Sequence, residues 1–196
     1  MSRAQTISRK DSDKCKQSGD WLKQIPEPVG YYLSGFADGE GSFNVSMRRR
    51  NDHTLGWQIV LTFNVSQRDK TVLLLLQQHL GCGRLQARKD GVWYYVVSSP
   101  QAIIERVIPF FDKFGLLSVG KRNNYLIFKQ IAGLVNDGQH RDARGIRIII
   151  ELREKLNLGR GRKRQYDLAD YQKFLSENPQ RLYARIQPRK RVMDMI

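Results

Sequence analysis

Asp38 and Glu40 stand two residues apart in the stretch Leu33-Ser34-Gly35-Phe36-Ala37-Asp38-Gly39-Glu40-Gly41, which runs on into Ser42-Phe43. A helix from about Gly30 to Glu40 puts both carboxylates at its C-terminal end. There the dipole is negative and the last carbonyls lack partners, so a carboxylate is disfavoured by up to about 1 kcal/mol. A bound cation offsets that cost. Hard divalent ions take carboxylate, carbonyl and water oxygens, and they assist phosphodiester hydrolysis by activating water and neutralising the leaving oxygen. The plainer alternative is a helix ended by Gly41 with two solvated acids. On the same helix Gly35 and Gly39 fall one turn apart on one face, with Ser34 and Phe36 beside them. Small residues there let a second helix approach closely, so this face asks for a partner.

The elements that must position these residues are legible from periodicity. Ser42, Asn44, Ser46 and Arg48 alternate with Phe43, Val45 and Met47, which predicts a strand with one apolar and one polar face. A second strand from Trp57 to Ser66 repeats the pattern, with Ile59, Leu61, Phe63 and Val65 opposed to Gln58, Thr62 and Asn64. Lys70 to His79 is an apolar run without breakers and predicts a buried helix, ended by Gly81 and Gly83. Arg84 to Lys89 and Val92 to Ser98 form a second hairpin around Asp90-Gly91, a two-residue turn signal. Further helices are expected over Pro100 to Phe114, Asn123 to Leu134 and Ile146 to Leu156. The sum is an α+β domain with one four-stranded antiparallel sheet.

With helices on its apolar face, the sheet presents Asn44, Ser46, Arg48, Gln58, Thr62, Asn64, Arg84, Gln86 and Arg88, with Trp93 and Tyr95 expected to join them. Arg bonds guanine, and Asn or Gln bonds adenine, in bidentate fashion, and a two-stranded ribbon fits the major groove. A merely solvated polar face is the alternative, since antiparallel sheets often keep one face wet.

Composition favours a polyanionic partner. The 34 Lys and Arg exceed the 19 Asp and Glu in 196 residues, for a net charge of +15. No apolar run approaches the roughly 20 residues that span a bilayer, so no membrane partner is expected. The opening MSRAQTISRKDSDKCK lacks the apolar core of a secretory signal, which predicts a protein kept inside a cell or organelle, a chloroplast, a mitochondrion or a prokaryotic cytoplasm. Cys15 and Cys82 lie too far apart in sequence for a Cys-x-x-Cys zinc site, and His53, His79 and His140 are equally scattered. The chain divides into a polar N-terminal extension (1–28), a core (29–140) and a basic, mainly helical extension (141–196). The last segment carries 15 basic and 7 acidic residues, including Arg160-Gly161-Arg162-Lys163-Arg164. It reads as a contact region or as a solvated tail.

Residues 33–41 resemble the LAGLIDADG motif of homing endonucleases, and the likeness extends over roughly 29–135 through the order helix, hairpin, helix, hairpin, helix. The resemblance implies an αββαββα fold with a saddle-shaped four-stranded sheet and a site-specific double-strand break in a long DNA target. It implies Glu40 as ligand to the catalytic metal, the Gly39 carbonyl as companion ligand, and a structural role for Asp38. Mg²⁺ is the implied cofactor, with Mn²⁺ or Ca²⁺ as other occupants. Gln67, closing Leu61-Thr62-Phe63-Asn64-Val65-Ser66-Gln67, corresponds to a family position that orders water near the metals. Lys121, or its neighbour Arg122, corresponds to a basic residue close to the scissile phosphate. No second motif occurs, since Gly115-Leu116-Leu117-Ser118-Val119-Gly120 has no acid, so one chain carries half a site. A homodimer through Ser34, Gly35, Phe36 and Gly39 and a roughly palindromic double-stranded DNA target follow as expectations, with Arg48-Arg49-Arg50-Asn51 reaching along the groove. The family is encoded within introns of organellar, bacterial or archaeal genes. Its scaffold also serves intron-RNA maturases and non-cutting DNA-binding proteins, which are the alternative readings here.

Overall fold

The computed structural model describes residues 20–53, 55–157 and 164–183. Helix α1 (Glu27–Glu40) starts earlier than periodicity suggests, because Pro26 is its N-cap and Pro28 sits in the first turn. A proline's missing N–H costs nothing there, where the first donors have no intrahelical partner anyway. The expected break at residue 28 therefore falls inside the helix. The residues just before it also belong to the packed body: Ile25 is buried, and Trp21 and Leu22 lie against the core.

Strands β1 (Gly41–Arg49) and β2 (Trp57–Gln67) follow as a long antiparallel hairpin, and α2 (Thr71–Leu80) ends at Gly81 in the left-handed conformation. The second hairpin, β3 (Arg84–Ala87) and β4 (Trp93–Val97), is shorter than expected. The four strands form one antiparallel sheet in the order β1-β2-β4-β3. The expected helix over 100–114 is a run of α3 (Pro100–Ala102), a π turn (Ile103–Val107) and α4 (Ile108–Phe114). Pro109, two residues beyond the π turn, has no N–H to continue the regular ladder. Then come α5 (Val119–Asn136), a 3₁₀ turn (Gln139–Arg141), α6 (Ala143–Glu154), α7 (Leu168–Glu177) and a 3₁₀ turn (Pro179–Tyr183).

Two apolar clusters hold these elements. The larger gathers Leu33 and Ala37 of α1, the inward residues Phe43, Val45, Leu61, Phe63, Val65, Tyr95 and Val97 of the sheet, and the inner faces of α2, α4 and α5. The smaller lies at the far end of the first hairpin, where Met47, Leu55 and Trp57 meet Ile146, Ile150, Tyr171 and Phe174. Residues 141–157 and 164–183 are thus packed structure rather than a solvated tail. They hold 8 basic and 6 acidic residues, so most of the segment's positive charge, including Arg160 to Lys163, lies outside the described residues.

Strand β1 is an edge, and in an antiparallel edge strand every second carbonyl points away from the sheet. Side chains occupy three in succession: Lys121 Nζ donates to Gly41, Asn157 Nδ2 to Phe43 and Arg153 Nε to Val45. Among the described residues no carboxylate is bonded to buried Arg153, and that burial lowers its pKa from the usual arginine value.

Candidate active site and nucleic-acid interface

Helix α1 delivers its acids directly into β1, with no loop between them. The N–H of Gly41 still donates to the Ala37 carbonyl, and a Cβ on Gly41 would sit 2.5 Å from that oxygen, so the tight junction requires glycine. Glu40 and Gly39 are exposed at this junction. Asp38 is turned the other way. Its Oδ2 accepts from Leu117 N at 3.2 Å, Ser118 N at 2.8 Å and Ser118 Oγ at 2.8 Å, tying the end of α1 to the start of α5. That accords with the structural role expected of it. The other oxygen, Oδ1, is buried and has no hydrogen-bond partner among the described residues.

Lys121 and Arg122 both lie in the first turn of α5, but only Lys121 points inward. It is 6% exposed, and its ammonium donates to the carbonyl of Gly41, the residue next to Glu40. Arg122 is exposed. Lys121 is drawn in by the outward carbonyl of the β1 edge. Gln67 closes β2 two residues beyond Val65, the partner of Gly41, and so stands at the same end of the sheet as Glu40. Its Oε1 accepts from Arg68 N at 2.8 Å, which leaves its NH₂ for other partners. One end of the sheet thus brings together an exposed carboxylate, helix-end carbonyls, an ammonium and an amide. The carboxylate and carbonyls are hard oxygen donors suited to Mg²⁺. Among the described residues no group of three or more His, Cys, Asp or Glu side chains is placed to hold a metal.

The register fixes the face turned away from the helices. It carries Asn44, Ser46 and Arg48 of β1, paired with Thr62, Val60 and Gln58 of β2. Asn64 continues through Val96 to Arg84, and Ser66 through Tyr94 to Gln86. Arg88 follows Gln86 on that side, and its guanidinium donates to the Tyr94 hydroxyl at 2.8 Å. Arg50 lies in the hairpin tip, clasped by Asp52 at 2.6 Å, an exposed pair in which the guanidinium lowers the Asp52 pKa to about 2. Its neighbour Arg49 is folded over the rings of Trp57 and Phe174.

Two expected members of this face are not on it. Tyr95 is fully buried in the core, with its hydroxyl donating to Cys82 O at 2.9 Å, and Trp93 is packed against the core side. A two-residue turn at Asp90-Gly91 pairs Gln86 with Tyr95. The observed loop has three residues, Lys89 to Gly91, with Gly91 at φ 78° and Arg88 N bonded to Val92 O, so Gln86 meets Tyr94 instead. A slip of one residue exchanges the faces of a strand. Because β4 reads Trp-Tyr-Tyr-Val-Val, no polar alternation marks the outward side. Tyr94, with Ser66, is what the sequence reading missed.

The helix face proposed for a partner divides similarly. Gly35 and Gly39 are open, with no atom within 4 Å of an added Cβ. Tyr31 and Tyr32 on the same helix are 56% and 54% exposed, and Phe36 is half-buried. Ser34 is instead buried, its hydroxyl donating to the Gly115 carbonyl within the chain, and leaves the set. Its position one residue before Gly35 turns it by about 100° toward the core.

With this geometry in place, similarity to known proteins is informative. The family model described as "LAGLIDADG endonuclease" matches residues 33–132. A probable intron-encoded endonuclease of Neurospora crassa is 33% identical over 142 residues, covering 70% of this chain and 26% of that protein. The chain thus spans about a quarter of the length of this curated relative. Among solved structures, the homing endonuclease I-TnaI superposes with a TM-score of 0.64 at 25% identity, covering 78% of this chain and 97% of that one. The LAGLIDADG homing endonuclease I-SmaMI, bound to cleaved DNA, gives a TM-score of 0.64 at 26% identity over 81% of this chain and 50% of its own.

Proposed function

The chain belongs to the LAGLIDADG endonuclease family, and we propose that it is a site-specific homing endonuclease, acting as a homodimer that makes double-strand breaks in a long, roughly palindromic DNA target. The observation that carries this reading is the exposed carboxylate of Glu40 at the junction of α1 and β1, beside the Gly41 carbonyl to which Lys121 donates. Relatives named as homing or intron-encoded endonucleases, and structures solved with DNA, support it.

In this reading Glu40 and the Gly39 carbonyl hold a divalent cation, Mg²⁺ or, in its place, Mn²⁺ or Ca²⁺. Bound Mg²⁺ supplies an activated water and neutralises charge developing on the phosphate oxygens. Gln67 orients water with its free NH₂, and Lys121 adds a fixed positive charge beside the reacting phosphate. Asn44, Arg48, Gln58, Asn64, Arg84 and Gln86 read base edges in the major groove, while Arg50 and other surface cations neutralise phosphates. The second half-site comes from a second copy of the chain packed through the open Gly35 and Gly39 face. The endonuclease names of intron-encoded relatives support an intron-encoded gene, in an organelle or a prokaryote.

The test is cleavage of a randomised double-stranded library with Mg²⁺, sequencing new ends for wild type and Glu40→Gln side by side. Wild type should yield one near-palindromic family of double-strand cuts, and the variant none. Retained binding of DNA or intron RNA with no cutting by either protein would move the assignment to a regulator or a maturase.

A further inference from the structure

Asn157 is the one non-glycine residue at positive φ, 56°, among the described residues. It follows Leu156, which is buried, and its backbone N–H donates to Asn124 Oδ1 of α5 at 2.8 Å. Asparagine tolerates this left-handed conformation better than most residues. The conformation turns its side chain onto the β1 edge, where Nδ2 donates to Phe43 O at 2.8 Å and lies 3.5 Å from Asn44 Oδ1. Asn44 in turn donates from Nδ2 to Ser42 Oγ at 3.0 Å.

These contacts have one self-consistent arrangement of amide atoms. A backbone carbonyl only accepts, so Asn157 must present its NH₂ to Phe43, and the second hydrogen of that NH₂ is then available to Asn44. Asn44 answers with its oxygen, which leaves its own NH₂ on the side of Ser42. Each end of the Asn44 amide thus has a fixed neighbour and keeps one hydrogen-bonding position free, donor and acceptor in a set order. Asparagine reads adenine by donating to N7 and accepting from the N6 amino group, and a flipped amide presents that pattern in reverse.

We propose that Asn157 is a positioning residue that fixes the amide of Asn44 in its adenine-reading orientation, so that a residue outside the sheet sets sequence preference. The inference rests on the reading of the outer face as a DNA interface. Asn157 touches no base itself; it acts through Asn44.

The experiment profiles cleavage of a randomised library with Mg²⁺ by the full chain, comparing wild type, Asn44→Ala, Asn157→Gly and Asn157→Asp. Asn44→Ala identifies the base pair concerned as the position in each half-site whose preference it flattens. Asn157→Gly keeps the left-handed backbone and removes only the side chain. It should weaken preference at that same base pair by about tenfold while leaving the other positions sharp. Asn157→Asp sets an acceptor against the Asn44 oxygen and should drive the amide to flip, moving preference there away from adenine. A thermal melt run in parallel shows whether each variant is folded at the assay temperature. A folded Asn157→Gly protein with the wild-type preference at that base pair overturns the proposal, as does an even loss at all positions. A wild-type protein that selects no site at all fails earlier, by removing the DNA reading itself, and is a different result from a sharp profile that ignores Asn157.

Discussion

The two ends of the β1–β2 hairpin are built on opposite principles. At the far end Trp57 is 3% exposed and is packed edge-on against Tyr166 and against Tyr171 and Phe174 of α7, with Arg49 laid over the Trp57 and Phe174 rings. That end is completed by the chain itself. At the near end Glu40 and Gly39 are exposed, and Tyr31, Tyr32 and Leu117 present apolar surface, Leu117 at 91% exposure. A chain that uses two helices to close one end, and leaves acid, glycine and aromatic groups open at the other, has its unfinished surface where the proposed chemistry lies. Open polar and apolar groups cost stability unless a partner, an ion or a substrate covers them. The comparison therefore separates residues whose loss should be felt as function from those whose loss should be felt as stability.

The sharpest way to break this division is to change the near end and look for damage to the fold. Glu40→Gln should lower cleavage by more than about a thousandfold, because the neutral amide is a poor ligand for a hard cation. Its urea midpoint should stay at the wild-type value and its affinity for DNA nearly so. A large drop in midpoint, with cleavage per folded molecule retained, would make Glu40 a structural acid. At the far end the reverse is expected. Trp57→Ala empties the centre of the smaller cluster and should cost about 3–5 kcal/mol of unfolding free energy, as large-to-small core changes do. Any protein that remains folded should still cut. Chemical denaturation and single-turnover cleavage, measured on the same preparations, read both outcomes.

The near end was the more legible of the two in the sequence, for physical reasons. Its acids, glycines and first strand lie within one short stretch, so local spacing carries the information. Alternation in β1 and β2 placed Asn44, Thr62 and Asn64 on the outer face, where the register has them. The far end depends on contacts across about a hundred residues, and nothing local in Ile146, Ile150 or Phe174 says that Trp57 is their neighbour. Arg153 and Asn157 were invisible for the same reason: their partners are backbone carbonyls of β1, which leave no trace in side-chain pattern. Tyr95 failed on turn length alone. Three loop residues in place of two exchanged the faces of β4.

Lys121 sits on the boundary of the comparison, since it is a buried group at the functional end. Lys121→Met keeps most of the buried stem and removes the ammonium. If the charge acts on the reacting phosphate, single-turnover cleavage should fall about a hundredfold, a loss typical of removing one preorganised electrostatic group. Stability should also drop by about 1–3 kcal/mol, because the Gly41 carbonyl loses its donor. A variant that is destabilised yet cuts at the wild-type rate when folded would assign Lys121 to the β1 edge alone.

The smallest effect is the most discriminating for assembly. Three glycines of the motif look alike in sequence but differ in what the chain asks of them. Gly41 has no room for a Cβ, whereas one on Gly35 or Gly39 would meet nothing in the same chain. By its own energetics the α1 helix would prefer alanine at position 35, by about 0.5–1 kcal/mol. Gly35→Ala should therefore raise the stability of the isolated chain slightly while weakening self-association by about tenfold or more, since methyl groups then separate two helices meant to touch. Sedimentation at a series of concentrations measures the second effect, and denaturation at low concentration measures the first. A variant that gains stability and loses dimer in the same molecule would show that the glycine serves a surface outside the chain. One that gains stability with its dimer intact would place the partner helix elsewhere, and the open face of α1 would then need a different occupant.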